Sequence, residues 1–182
     1  MGLALVTAAV GLWSSSVGCD MSARGRVIGL LVTALVGAVS PGNVWALLQS
    51  CSISAGPVNF GVYNPLSGLP TTATGTVTMT CTVTGIGLFE NWTIALSTGD
   101  SGTYSARLLE NGASNLSYNL YTTAAYTNVW GDGSGTTTLV SGQQTLQVGT
   151  STVNYTVYGR IPAGQDSAAG TYTDAIVVTL NY

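Results

Sequence analysis

The sequence predicts an all-β fold in which two sheets pack as a β-sandwich. Apolar and polar residues alternate along several short runs, as they do in strands that bury one face. Clusters rich in Gly, Asn and Ser separate these runs. No run after the N-terminal part repeats its apolar residues with the period of a helix. Many short strands with frequent turns are typical of a sandwich.

The run from Ala73 to Thr84 is the clearest predicted strand. Threonine occupies every second position, and Val77, Met79 and Cys81 occupy positions between the threonines. Successive side chains of a strand point to opposite faces. We therefore expect the threonines to face water and Cys81 to face the core.

Four further runs alternate in the same way. Their predicted inward residues are Trp92, Ile94 and Leu96; Leu116, Tyr118 and Leu120; Val153, Tyr155 and Val157; and Ile176, Val178, Leu180 and Tyr182. The opposite face of the last run is also fairly apolar, which favours a strand with neighbours on both sides. Asn111-Gly112 and the glycines of residues 131–135 supply the positive φ angles that tight turns need.

Residues 1–46 have the character of a leader, and we do not expect them to join the fold. Val27–Val39 is an apolar run that is too short to span a bilayer comfortably. Two arginines precede it, and small or tolerated residues follow it. We predict that residues 21–46 are a signal peptide for the Sec pathway, cleaved between Ala46 and Leu47.

Residues 1–20 admit two interpretations. The first is that translation starts at Met21, because no basic residue precedes the apolar stretch Gly2–Leu12. The second is a lipoprotein cleavage site before Cys19. That site would have Ser16 where a leucine is expected, and it would also lack a basic N-terminal region.

Residues 47–182 are predicted to form one domain. This part contains no lysine, two arginines and six acids, which gives a formal charge of −4. Nucleic acids and anionic membranes both require basic patches, so we expect neither as a partner and no membrane insertion. Cys51 and Cys81 are its two cysteines. An even count in an exported chain predicts a disulfide, which would stabilise the fold by about 3–4 kcal/mol.

The available residue types argue against an enzyme. The sequence has no histidine, which excludes Ser-His-Asp and Cys-His catalysis and most zinc sites. It also lacks a phosphate-binding Gly-Lys motif. We expect no metal and no cofactor. Each acid lies beside a turn signal or in a polar stretch, so we expect solvated carboxylates. The acids are Glu90, Asp100, Glu110, Asp132, Asp166 and Asp174.

Seven short motifs follow one another along residues 47–182. They are Cys51–Ala55, Asn59–Pro65, Gly75–Cys81, Leu116–Tyr121, Trp130–Gly133, Tyr155–Pro162 and Gly170–Asp174. No single motif is specific, but the ordered set resembles the spore coat protein U domain family. That family includes the subunits of archaic chaperone–usher pili.

The resemblance implies an immunoglobulin-like sandwich whose last strand is supplied by another chain. Ile176, Val178, Leu180 and Tyr182 would then lie on an edge strand of the open groove. A periplasmic chaperone would fill this groove first, and a strand from a related pilin or coat subunit would replace it at an outer-membrane usher. The protein would pass through the periplasm to the cell surface or to an extracellular fibre or coat.

One feature departs from polymerising pilins, which resemble this chain but carry a donor segment before their first cysteine. Cleavage after Ala46 would leave only residues 47–50 before Cys51, which is too short to fill a groove. We therefore expect a subunit that accepts a strand without donating one, as a tip or cap does.

Three functions compete on this basis. The first, which the sequence favours, is a structural subunit of a pilus or coat that contributes to cell adhesion and biofilms. The second is an adhesin or carbohydrate-binding module at a fibre tip. The third, a hydrolase that uses two carboxylates, has the least support.

The predicted cleavage can be tested on protein recovered from the surface of its native cell. Terminal sequencing and intact mass should place the first residue at Leu47, or within a few residues of it. A surface protein that still carries residues 1–46, or one that begins with a lipid-modified Cys19, would contradict this prediction.

Overall fold

The computed structural model describes residues 6–17, 49–84, 89–145 and 148–182. All regular secondary structure in these ranges is β, as predicted. The strands are β1 (Val6–Val17), β2 (Gln49–Ala55), β3 (Val58–Tyr63), β4 (Thr71–Val83), β5 (Phe89–Leu96), β6 (Arg107–Asn111), β7 (Ser114–Tyr121), β8 (Val140–Thr145), β9 (Gly149–Ile161) and β10 (Gly170–Asn181).

The strands form a curled sheet that folds back around a core. Their order is β2-β4-β9-β7-β6-β10-β1-β3, while β5 branches from β10 and carries β8. The curl places β2, β4, β9 and β7 in one layer and β3, β1, β10, β5 and β8 in the facing layer. This arrangement confirms the predicted all-β fold.

Strand β4 confirms the predicted alternation. Val77, Met79 and Cys81 are buried in the core. The threonine hydroxyls lie on the outer face, where Thr80 hydrogen-bonds Thr152 at 3.2 Å across the ladder to β9. A threonine on this face keeps a polar group in water and still has the β-branched shape that suits a strand.

Two glycines let β3 cross close to the first layer. A Cβ at Gly75 would lie 2.7 Å from Val58, and a Cβ at Gly159 would lie 2.6 Å from Phe60. Because β4 and β9 carry no side chain at these two points, Val58 and Phe60 can pack directly on the backbone. The glycines therefore hold β3 against the sandwich.

The predicted inward residues of β5, β7 and β10 are buried, except that Trp92 and Tyr182 are partly buried, and β9 also differs in part. Val157 is fully buried, whereas Val153 is 37% exposed. Residue 153 lies in the first half of β9. Among the described strands only β4 pairs with this half, because β7 pairs with residues 158–160. Alternation correctly predicted the face of Val153, but it could not predict how far the opposite layer extends.

A buried arginine ties the loops around β5 to the core. Arg107 is fully buried and donates to the carbonyl oxygens of Ser97 (2.7 Å) and Trp130 (2.8 Å) and to the amide oxygen of Asn119 (2.7 Å). Burial lowers the pKa of the guanidinium from its ordinary value, but an arginine still stays charged at neutral pH. A charged donor makes strong hydrogen bonds to these acceptors, so Arg107 clamps three separate segments.

The expectation that every acid is solvated is wrong for Asp174. This residue of β10 is only 4% exposed. Its carboxylate accepts hydrogen bonds from the Tyr118 hydroxyl at 2.5 Å and from the backbone N–H groups of Asp100 and Ala175 at 3.0 and 2.7 Å. Burial, together with this carboxylate, raises the pKa of Tyr118 far above its ordinary value, so the phenol remains a donor. Three donors compensate the desolvation of the carboxylate.

Asp132 agrees with the prediction. It is exposed, and its carboxylate accepts hydrogen bonds from the backbone N–H and the hydroxyl of Ser134 at 2.9 and 2.6 Å. These two bonds lower the pKa of Asp132. The geometry is that of an Asx turn.

Cys51 and Cys81 form a disulfide, as the sequence predicts. They lie directly opposite each other in the antiparallel pair of β2 and β4, with their Cα atoms 4.0 Å apart. The bond links residues separated by 30 positions and therefore fastens β2 to the long central strand β4.

Replacing both cysteines by alanine should lower the free energy of unfolding by about 3–4 kcal/mol, because the unfolded chain regains the entropy of an open loop. Chemical denaturation of the oxidised protein and of the double variant measures the difference. Reductant should destabilise the natural protein and leave the double variant unchanged. Equal stability of the oxidised protein and the variant would contradict the prediction.

Candidate strand-acceptor site

Strand β10 has neighbours along both of its edges. On one edge it pairs with β5 over Val178–Asn181 and with β6 at Thr173. On the other edge it pairs with β1 along its whole length, from Gly170 opposite Val6 to Asn181 opposite Val17. The second edge is thus completed by a segment that lies far upstream in the chain.

Strand β1 lies between β10 and β3. It runs parallel to β10 and antiparallel to β3, which it contacts from Val6 opposite Tyr63 to Val10 opposite Val58. The register to β3 shifts between Ala8 and Ala9. We call the space that β1 fills between β10 and β3 the strand slot.

Strand β10 forms one side of the strand slot and carries an apolar face that points into the core. Ile176, Val178 and Leu180 are fully buried, and Tyr182 packs against the core while partly exposed. Burying each aliphatic side chain contributes about 1.5–3 kcal/mol. The sequence placed these four residues on a groove edge. The structure brings Ile176, Val178 and Leu180 into β10 beside β1, and Tyr182 follows the end of β10.

The occupant of the slot also contributes to the core. Val10 lies opposite Asp174 in the register and is fully buried, and Leu12 lies opposite Ile176 and is partly buried. Because paired residues on neighbouring strands share a face, Val10 and Leu12 point into the space between the layers. At these two positions β1 adds apolar side chains to its backbone pairing with β10.

The outward face of β10 carries the fairly apolar residues that the sequence shows, but they are not buried. Ala175 is exposed, and Val177 is 42% exposed. The neighbours of β10 lie beside it within the sheet and do not cover this face. Apolar residues on both faces therefore mark a strand that is paired at both edges, but not one that is covered on both faces.

One end of the strand slot is closed by the segment between β9 and β10. The buried Tyr63 donates its hydroxyl to the carbonyl of Pro162 at 3.2 Å and accepts from the N–H of Gln165 at 2.8 Å. The Gln165 amide in turn bonds both backbone groups of Ser117, at 2.7 and 2.8 Å. These bonds fix the edge of β3 next to the first residues of β10.

The chemistry of the site is backbone pairing. Among the described residues, no group of three or more His, Cys, Asp or Glu side chains could hold a metal ion. No helix within the described ranges has the length and apolar character needed to cross a membrane.

Two predictions about the leader have different outcomes. Ala46 and Leu47, the predicted cleavage site, lie outside the described residues. Residues 6–17 were expected to lie outside the fold, yet they form β1. The one signal for this role is an apolar, partly β-branched stretch, which a leader shares, so the residue pattern does not distinguish a strand from a leader here.

The family model of the Spore Coat Protein U domain matches residues 38–179. Protein U of Myxococcus xanthus is 32% identical over 151 residues, which cover 73% of this chain and 78% of that protein.

Among solved structures, the chain is similar to the crystal structure of a CsuC–CsuE chaperone–tip adhesion subunit pre-assembly complex from archaic chaperone–usher Csu pili of Acinetobacter baumannii. The TM-score is 0.48 with 22% identity, and the match covers 74% of this chain and 40% of the solved chain.

Substituting Val10 by Asp in the full chain should release β1 from the strand slot. A buried charge without a partner is strongly unfavourable, and the variant also loses the burial of the valine, about 1.5–3 kcal/mol. Hydrogen exchange of the β10 amides should accelerate. The matched control is Ala175→Asp, which adds the same charge at an exposed position of β10 and should change exchange little. Unchanged exchange and stability in Val10→Asp would show that β1 does not occupy the slot.

Proposed function

Because the chain belongs to the Spore Coat Protein U domain family, we propose that it is a structural subunit of a bacterial surface coat or fibre, completed by a strand from another chain. Membership makes it a surface protein of structural type and not an enzyme. The strand-insertion step, the partners and the place in an assembly are parts of the proposal.

The observation that carries the proposal is the strand slot. Residues 49–182 supply β3 and β10 but leave the position between them to a strand from outside this range. A strand edge with unpaired N–H and C=O groups, next to apolar inward side chains, is a template for another strand. A peptide that adds to such an edge gains affinity from the backbone and specificity from alternate side chains.

Removal of residues 1–46 during export would open this slot. Cleavage after Ala46 would remove β1, and Ile176, Val178 and Leu180 would then lie beside an unpaired edge. A periplasmic chaperone would cover the groove in transit, and an outer-membrane usher would exchange it for a strand of a related subunit. The family supports the final location at the cell surface.

The same cleavage would leave a subunit that accepts a strand and has none to give. Residues 47–50 are too few to reach across a neighbouring slot. Such a subunit would stand at the tip of a fibre or cap an assembly, or it would lie in a coat and be completed by a different chain.

The chemistry of β1 describes the strand that the slot would accept. Its inward positions are apolar at Val10 and Leu12, which lie opposite Asp174 and Ile176. We expect a donor strand to carry apolar residues at the same alternate positions, since these side chains fill the space between the layers.

Residues 47–182 alone, produced in an oxidising compartment, should aggregate or unfold at low denaturant, because the slot leaves backbone and apolar groups unpaired. Fusing residues 6–17 after Tyr182 should restore a cooperative monomer. Two linkers between Tyr182 and the fused segment test in which direction the segment binds. A long linker permits the parallel arrangement of β1 with β10, whereas a tight turn permits only an antiparallel one. Denaturation curves and size-exclusion chromatography measure the outcome.

The matched control carries Val10→Asp within the fused segment, which should remove the rescue without changing its length. If residues 47–182 are already a stable monomer and neither fusion changes their melting, the sandwich is complete without a donor. That result would end the strand-acceptor proposal.

A further inference from the structure

Three tyrosines lie near Arg160 on the outer face of the first layer. Tyr158 of β9 pairs with Tyr121 of β7 on one side and with Thr74 of β4 on the other. Arg160 follows two positions later on β9 and lies opposite Thr72. Residues two apart on a strand, and residues paired across strands, share a face, so all five side chains belong to one outer surface.

Tyr126 completes the group from the loop that follows β7. Its ring packs edge-on against Tyr121, with centroids 5.5 Å apart and planes at 88°, and the guanidinium carbon of Arg160 lies 5.6 Å from its centre. Tyr126 is the one non-glycine residue with positive φ (54°) in the described ranges. That conformation is unfavourable for a bulky side chain, and it places the ring over Arg160.

Arg160 is the accessible cation of the described residues. The only other cation there, Arg107, is fully buried and hydrogen-bonded to carbonyl and amide oxygens. Arg160 is partly exposed and has no carboxylate within salt-bridge distance among those residues. A guanidinium stacked on a ring presents its N–H groups at its edge, in the fork geometry that matches a carboxylate.

The backbone of β9 at this surface is paired along both edges. At residues 158–160, β9 is bonded to β4 on one side and to β7 on the other. A ligand over Tyr158 and Arg160 would therefore meet side chains and would not extend the sheet from β9. The available groups are three aromatic rings, one guanidinium fork and the exposed hydroxyls of Thr72 and Thr74.

We propose that Tyr121, Tyr126, Tyr158 and Arg160, which we call the tyrosine platform, form a binding site for a carboxylate-bearing sugar residue of the uronic-acid type. The guanidinium would bind the carboxylate through two N–H groups. The rings would cover the apolar C–H face of the sugar, and the threonine and tyrosine hydroxyls would bond its hydroxyl groups.

Charge and polarity favour a sugar over a peptide. The backbone of β9 under Tyr158 and Arg160 is paired along both edges, so a peptide main chain could not add to it as a further strand. The chain has a net charge of −3, so a highly acidic ligand gains attraction only near Arg160. Selectivity then depends on a single carboxylate seated at the arginine, next to a ring that stacks.

The test uses the full chain with its disulfide formed and oligogalacturonate as the probe, followed by titration calorimetry and NMR. Oligogalacturonate should bind and shift the signals of the platform residues, whereas its fully methyl-esterified counterpart, which has the same rings without the charge, should bind much more weakly. Arg160→Gln should weaken binding at least about tenfold, as expected for loss of a charged hydrogen-bond pair. Arg160→Lys should recover only part of it.

Two further variants separate binding from folding. Tyr126→Gly removes the ring and relieves the positive φ, so it should fold as well as the natural chain and still lose affinity. Thr150→Ala changes the same face of β9 at its far end and should bind normally. Equal binding by Arg160→Gln, equal binding of the methyl ester, or the absence of binding would overturn the proposal. Stronger binding of a glutamate-rich peptide through Arg160 would overturn the choice of a sugar.

Discussion

The pairing of both edges of β10 is the constraint on which this fold depends. Each edge of a strand presents a row of N–H and C=O groups that must find partners when they are removed from water. The domain supplies β5 and β6 on one edge, and β1 supplies the other over twelve residues. Because Ile176, Val178 and Leu180 of β10 point into the core beside β1, loss of a partner would expose apolar surface as well as backbone.

The buried polar groups make the rest of the domain a fixed frame around the slot. Arg107 holds the chain at Ser97, Asn119 and Trp130, and Asp174 holds the turn at Asp100 to β10. Each side-chain nitrogen of Arg107 and each carboxylate oxygen of Asp174 has a hydrogen-bond partner. These directional bonds fix how the segments are oriented around a core that is mostly apolar. The disulfide does the same for β2 and β4. In the proposed exchange of strands, the walls of the slot would therefore stay in place.

The two candidate binding surfaces use different chemistry in different layers. The strand slot in the second layer is an edge and recognises backbone. The tyrosine platform in the first layer is a face whose backbone is already paired, and it recognises through side chains. Occupation of one therefore need not block the other. A coat or fibre subunit with both could be joined to its neighbours through the slot and contact acidic polysaccharide through the platform.

The sequence by itself determined β4, β5, β7, β9 and β10, most of their inward faces, the disulfide and the family, because alternation, cysteine count and short motifs are properties of neighbouring residues. It could not determine which distant segments meet. Residues 6–17 resemble a leader, and only the tertiary structure places them beside β10. From its neighbours in the sequence, Asp174 is predicted to be solvated. Tyr118 and two backbone N–H groups, one of them on a distant loop, make its burial favourable. Tyr126 and Arg160 lie 34 positions apart in the sequence and meet only because β7 pairs with β9. Long-range pairing decided each of these, because the energy that fixes them is shared between segments that no short pattern connects.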